Sequence, residues 1–270
     1  MTKPSDPVNT PSGRRYFYPG KKLGYPSVTT IISAAWPSDY LEAWKTRNIA
    51  KAIIANVEDM SERLERIKSR PPKMRELYSE RLGETLLDWR DDHTAADRGT
   101  RIHEGLELLL TGQLSAKKLK KTMRPEEYVQ TLTAADALHR LGFQPMYVEA
   151  QVFHHGMKYA GTADLIGTYT RHVRGKKRKY VTCVDLKTGK RINRYFAAQL
   201  AAYSYAEELL TGVGDVIEMP KVKNALVLHV VAGKAQFYRV NLSHGWEDFQ
   251  ACERIYRSAN STGGLKEYDV

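Results

Sequence analysis

The sequence predicts an α/β fold, a central mixed β-sheet flanked by helices, with a helical elaboration on its N-terminal side. Up to residue 142, apolar residues recur at helical spacing. Between Met146 and Val240, period-two runs rich in β-branched and aromatic residues take over, interrupted by one helical stretch. The chain has 270 residues, 42% hydrophobic and 10% aromatic, enough for one large core, and no composition shift in the middle forces a split. The expected layout is an arm with a short hairpin over 1–24, a single domain over 25–260 and a tail over 261–270. Within the domain, 25–142 is mainly helical and 143–260 is the α/β core.

Residues 1–15 are rich in Pro, Ser, Thr and Gly and end in Arg14-Arg15, which reads as a loose arm. Tyr16 to Tyr25 can close a hairpin around Pro19-Gly20. Ser27 has the chemistry of an N-cap for a short helix through Thr29, Ile31 and Ile32, and a second helix is expected from near Asp39, with Leu41, Trp44 and Ile49 on one side. From Glu58 to Arg90 the spacing is helical and dense in charge, broken at Pro71-Pro72. Asp97 to Leu110 places Ile102, Leu106, Leu109 and Leu110 on one helical face. A further helix follows Pro125 and ends at Leu141-Gly142.

Three strands are expected over Met146–Phe153, Tyr159–Tyr169 and Tyr180–Leu186. The last two enclose the basic run from Arg171 to Lys179, a solvated hairpin tip or a phosphate contact. Tyr195 to Leu210 returns to helical periodicity. Lys223–Val231 and Gln236–Val240 form a closing hairpin around Ala232-Gly233-Lys234, and a last helix runs from about His244 to Arg257.

Forty-two Lys and Arg against 31 Asp and Glu give a formal charge of +11, an excess that suits a polyanionic partner as well as solubility. Two cysteines, Cys183 and Cys252, in separate segments without a CxxC, exclude a zinc ribbon or an iron–sulfur cluster within the chain and read as reduced core thiols. The polar, Pro-containing start has no apolar signal region and no stretch reaches transmembrane length, so no membrane association and a cytoplasmic location are expected.

The informative chemistry lies between Gly161-Thr162-Ala163-Asp164 and Asp185-Leu186-Lys187. Each Asp interrupts an apolar, strand-like run, where an ionised carboxylate is costly unless paired or bound to a cation. Asp185 and Lys187 are two apart and leave a strand from one face. A carboxylate that holds a metal and an ammonium beside an attacking water is what phosphodiester hydrolysis requires, and the Leu186 carbonyl adds an oxygen suited to Mg²⁺. A surface Asp–Lys pair at a strand end is the plainer alternative for this motif alone. Gln199 and Tyr203, four apart on a helix, share a face and can point together at such a site or at a phosphate, or stand as a surface Gln and a half-buried Tyr.

With Tyr25-Pro-Ser-Val-Thr-Thr30, Gly99-Thr-Arg-Ile-His103-Glu, Glu149, Gly161-Thr-Ala-Asp164, Asp185-Leu-Lys187 and Gln199-Leu-Ala-Ala-Tyr203 in this order, the chain resembles the RecB-type branch of the PD-(D/E)xK nucleases. That branch includes phage exonucleases and the mitochondrial genome-maintenance exonuclease. The resemblance implies a restriction-endonuclease-like core, Mg²⁺ or Mn²⁺ bound by His103, Asp164, Asp185 and the Leu186 carbonyl, and Lys187 positioning the water. A His ligand favours Mn²⁺ as an effective ion. Gln199 and Tyr203 join the catalytic set. Glu149 is a second metal carboxylate, a support for Lys187 or a strand-surface residue. Arg98, Arg101, Arg191 and Arg194 are candidate phosphate contacts whose default is solvated charge.

The branch's iron–sulfur members need four cysteines, which sets this chain with the cluster-free ones. The implied activity is a metal-dependent DNA exonuclease acting from ends or on single strands in replication, recombination or repair. Its implied setting is phage-encoded, in a bacterial host cell, with replication or recombination proteins as further partners. The alternatives are a structure-selective or nicking endonuclease, or a non-catalytic DNA-binding module. No Gly-x4-Gly-Lys-Ser/Thr loop is present, so any motor is a separate protein.

Overall fold

Tight turns and long amphipathic strands dictate the architecture of the computed structural model, which describes residues 6–10, 12–36, 46, 49–51, 53–88 and 93–261. The chain divides into two compact units, one formed by Met1–Pro37 with Gly99–Val270 and the other by Ser38–Arg98. The division falls inside the stretch that the sequence reads as one domain over 25–260.

The larger unit opens with a small antiparallel sheet of β1 (Val8–Thr10), β2 (Gly13–Tyr16) and β3 (Tyr25–Pro26). The expected hairpin is present, with Tyr16 opposite Tyr25. Within the expected loose arm over 1–15, β1 and the first residues of β2 instead pair with each other, from Thr10–Gly13 to Val8–Arg15. Gly13 has φ +103°, and a Cβ there would lie 2.4 Å from Thr30 Cγ2, so glycine is required twice over. Helix α1 (Val28–Ala35) starts where Ser27 Oγ accepts from Thr30 N, the predicted cap, and buries Val28, Ile31 and Ile32. Of the second expected helix, Asp39, Leu41 and Trp44 lie outside the described residues.

The second unit contains α2 (Val57–Lys68) and α3 (Pro72–Asp88), separated at the predicted proline break. Helix α4 (His93–Leu110) begins in this unit and continues into the larger one. There it is followed by α5 (Ala116–Thr122) and by α6 (Pro125–Leu141), which ends at Gly142 with φ +70°.

The main sheet has seven strands: β4 (Gln144–His154), β5 (Tyr159–Val173), β6 (Lys176–Lys187), β7 (Glu208–Leu210), β8 (Val216–Glu218), β9 (Asn224–Val231) and β10 (Lys234–Val240). Their order is β10-β9-β6-β5-β4-β7-β8. β6 and β9 run parallel and every other neighbouring pair is antiparallel, so the sheet is mixed. The crossover from β6 to β9 carries α7 (Tyr195–Ser204), and α8 (Leu242–Ala259) closes the fold. The helix expected over 195–210 stops at Ser204. The apolar residues beyond it continue as β7, whose Leu209 and Leu210 pair with Val152 and Gln151 of β4.

Strand alternation sorts the core into two layers. On one sheet face Val152, Cys183, Ala225 and Val227 pack with Ile31, Leu200 and Phe249 of α1, α7 and α8. On the other, Leu165, Val184, Leu186 and Leu228 pack with Ile102, Leu106 and Leu138 of α4 and α6. Each fully buried side chain of this kind contributes about 1.5–3 kcal/mol, so the helices are fixed to the sheet mainly by this packing. Cys183 and Cys252 are free, buried thiols. Among the described residues no helix is long and apolar enough to cross a membrane.

Candidate metal centre

A disturbance in two neighbouring strands builds the site. Val148 pairs with Leu165 and Ala150 with Ala163, but between them the register skips Glu149 and Asp164. Val148 and Leu165 pack in the α4–α6 layer, whereas Ala150 and Ala163 belong to the opposite one. Regular alternation would put residues two apart on one face, so both strands change phase at this point. Glu149 takes φ +49°, left-handed backbone that disfavours a side-chain-bearing residue by about 1–3 kcal/mol. The carboxylates of Glu149 and Asp164 leave the sheet at this break.

Helix α4 supplies the third group. Ile102 and Leu106 are buried in the sheet-facing layer, and His103 lies next to Ile102 on the helix, about 100° round. His103 Nδ1 is 3.5 Å from Glu149 Oε1 and 3.4 Å from Asp164 Oδ2. One ligand atom from each of the three lies within 4.8 Å of the other two. Together with Glu107, Leu186 and neighbouring apolar residues they line a cavity of about 10 Å³, room for a single water or ion. Helix α4 is held by Arg101, whose Nε and Nη2 donate to Oε1 of the buried Glu127 at 2.9 and 2.7 Å.

Asp164 Oδ2 also accepts from Leu186 N at 2.7 Å. The regular β5–β6 pairing ends at Leu165–Val184, so this N–H meets a carboxylate instead of a backbone carbonyl. A strand residue's N–H and C=O leave the same edge, which directs the Leu186 carbonyl to the side of Asp164. Asp185 and Lys187 lie one step along β6. Lys187 Nζ is 2.7 Å from Asp185 Oδ2 and 4.9 Å from the centre of the Phe196 ring. Asp185 is 1% exposed, and its Oδ1 has no hydrogen-bond partner among the described residues.

Electrostatically, the cluster holds more anionic groups than its cations balance. Burial, reinforced by the charge of Glu149, raises the Asp164 carboxyl above the usual range despite His103, Lys187 and the Leu186 N–H. Burial likewise pushes Asp185 up to about 6, with Asp164 adding to it and Lys187 opposing it. Burial works against the charged form of His103, but Asp164 and Glu149 outweigh it and push the imidazole up to about 9. Lys187 also loses solvation, yet Asp185 and Asp164 raise its pKa. Two carboxylates, an imidazole and a carbonyl edge beside an unpartnered buried carboxylate oxygen form a donor set suited to a hard or borderline divalent cation.

The structure therefore brings His103, Asp164 and Glu149 into one cluster and places Asp185 against Lys187. Gln199 and Tyr203 are buried and bonded to each other, Gln199 Nε2 to Tyr203 Oη at 3.0 Å. Tyr203 lies over Gly161, where a Cβ would be 2.4 Å from its Cε1. Both side chains thus lie in the core, and the charges of Asp185 and Asp164 add to the burial that raises the Tyr203 pKa. Arg191 and Arg194 are exposed, Arg101 is engaged with Glu127, and Arg98 belongs to the smaller unit.

Two neighbours carry no sequence signal of their own. Tyr16 is buried and its hydroxyl lies 3.0 Å from Thr162 Oγ1. The charges of Glu149 and Asp164 add to the burial that raises the Tyr16 pKa. Phe196, beneath the Lys187 ammonium, reads in sequence only as an apolar helix residue.

No protein-family model and no curated protein matches the chain. Among solved structures, the crystal structure of SSO0001 is similar at 12% identity and a TM-score of 0.24, covering 62% of this chain and 85% of that one. At that level the likeness bears on neither fold nor function.

Proposed function

We propose that the chain is a divalent-metal-dependent deoxyribonuclease with a restriction-endonuclease-like, PD-(D/E)xK-type core, acting as an exonuclease on DNA ends or single strands. The observation that carries the reading is the convergence of His103, Glu149 and Asp164 beside the buried Asp185–Lys187 pair. The exonuclease mode rests on the resemblance of the ordered motifs.

His103, Glu149 and Asp164 would hold Mg²⁺ or Mn²⁺, with the Leu186 carbonyl edge and Asp185 next to them. A bound divalent ion supplies Lewis acidity toward water and toward a phosphate oxygen. Lys187 presents a cation at the same place. Asp185 fixes its ammonium from one side and the Phe196 ring from another, so the charge is oriented before a phosphate arrives. An ammonium held there donates hydrogen bonds to an attacking water and offsets negative charge developing on the phosphate. Asp164 accepts the Leu186 N–H through the same Oδ2 that faces His103, which ties the two strands together and fixes that oxygen at the cluster. Gln199 and Tyr203 keep α7 packed under this arrangement.

The test is release of label from linear single- and double-stranded DNA, each labelled at one end, with Mn²⁺, Mg²⁺ or EDTA. Metal-dependent release by the wild type, abolished in Lys187→Ala and Asp164→Ala, is the expected result, and the product ladder gives polarity. Cutting of covalently closed circles would replace exonuclease by endonuclease. Binding of DNA without cleavage of linear or circular substrates under any metal would leave a binding module.

A further inference from the structure

We infer that the outer half of the β5–β6 hairpin is an arm that grips the phosphate backbone of double-helical DNA. β4 pairs with β5 only as far as Gln144–Thr168, and β9 follows β6 only from Thr182–Asn224, with a last bond from Lys223 N to Val181 O. Beyond those points β5 and β6 continue as a two-stranded ribbon, from Tyr169–Tyr180 to Val173–Lys176, with no third strand among the described residues. Arg174 at φ +51° and Gly175 at φ +72° close it in the two-residue turn that matches strand twist.

The ribbon carries Arg171, Arg174, Lys176, Lys177, Arg178 and Lys179, all exposed, and no Asp or Glu. None of the ion pairs found among the described residues involves them. Arg171 stands directly opposite Arg178. Like charges across a strand pair are destabilising, and an isolated two-stranded ribbon is marginal in water. A folding role for this sequence would favour alternating signs. A polyanion laid along the ribbon removes the repulsion and makes use of all six cations.

The geometry favours a duplex over a free strand. A two-stranded ribbon fits the major groove, about 12 Å wide, with cations of both strands facing the flanking phosphates. Arg171 and Arg178 share a sheet face with Leu165 and Val184, which lie beside the metal-site residues, because pairs two apart repeat the face. The two pairs are six residue steps apart, about 20 Å at strand rise, or about six base pairs of DNA. A duplex held by the arm thus has a turn of its helix or less between the grip and the carboxylate cluster.

The choice of DNA rests on the nuclease reading, but binding is measurable without cleavage. The experiment is fluorescence anisotropy in EDTA with a blunt duplex of about two helical turns and a single strand of the same sequence, using wild type and Arg171→Gln/Arg178→Gln. Salt is varied between about 50 and 200 mM, and the slope of log affinity against log salt should fall by about 0.9 for each phosphate that the variant no longer neutralises. The expected result is a slope smaller by about two, with roughly tenfold weaker duplex binding at the higher salt, little change on the single strand and an unchanged circular-dichroism spectrum. A charge-preserving Arg171→Lys/Arg178→Lys variant should retain the slope. Duplex affinity and slope equal to wild type in a folded Gln variant would overturn the inference, as would an equal weakening on both DNAs. Loss of cleavage in Lys187→Ala with unchanged duplex binding bears on the nuclease reading alone.

Discussion

At its root the β5–β6 hairpin lies between β4 and β9, and there Asp164 is half-buried and Asp185 fully buried among apolar residues, one accepting from Leu186 N and the other paired with Lys187. At its tip the same two strands pair only with each other among the described residues and carry six exposed cations. The protein tolerates an electrostatic cost at both ends, of opposite sign. On the proposed reading, the carboxylates with raised pKa would hold a cation and the opposed arginines an anion. Under the proposed function, one strand pair would thus carry both the metal-holding and the phosphate-holding part of the surface.

The largest effect is expected at the ammonium placed at the root. Lys187→Ala should lower metal-dependent cleavage by about 10²–10³-fold, the usual loss on removing an oriented charge-stabilising group, with an unchanged fold by circular dichroism. A loss of only a few-fold would mean that Lys187 is a strand-end ion pair.

Next comes the anchor of α4. Glu127→Gln removes the carboxylate that accepts both Arg101 bonds and should cost about 1.5–3 kcal/mol in urea unfolding at neutral pH. Hydrogen bonds from Arg101 hold the Glu127 carboxyl below its usual value. A depressed carboxylate contributes stability that is present above the unfolded value of 4.5 and lost as pH falls through the folded one. The difference between wild type and Glu127→Gln should therefore shrink as the pH is taken below 4.5.

Gly161→Ala sharpens the role of Tyr203. The added methyl meets the ring at 2.4 Å, so overpacking of about 1–3 kcal/mol is expected in thermal unfolding. A second substitution, Tyr203→Leu, should recover part of it. The smallest effect belongs to the tip: Arg171→Gln/Arg178→Gln should change stability by less than about 1 kcal/mol, in the stabilising direction, since it removes a like-charge pair. A clear destabilisation would make those arginines structural.

Much of the molecule is legible in sequence where a residue contradicts its surroundings. Asp164, Asp185 and Lys187 stand out because charge in an apolar strand run needs a partner, and the helices and long strands follow their periods. Glu149 keeps three readings in sequence because its place depends on a left-handed kink opposite Asp164, which spacing does not reveal. β7 reads as helix because Ala206 to Leu210 suits either state, and only pairing with β4 decides it. The basic run at the tip is plain, but its projection depends on where β4 and β9 stop. The change in chain packing at Ser38 and Arg98 has no marker in composition.

Whether His103, Glu149 and Asp164 hold a divalent ion is tested most directly by Mn²⁺ titration followed by electron paramagnetic resonance. The expected result is one bound Mn²⁺ per chain with nitrogen coupling from an imidazole, coupling that disappears in His103→Ala, and binding at least tenfold weaker in Asp164→Asn and Glu149→Gln, about 1.4 kcal/mol or more. Wild-type protein that is folded yet binds no Mn²⁺, or that binds it equally well after Asp164→Asn, would contradict it.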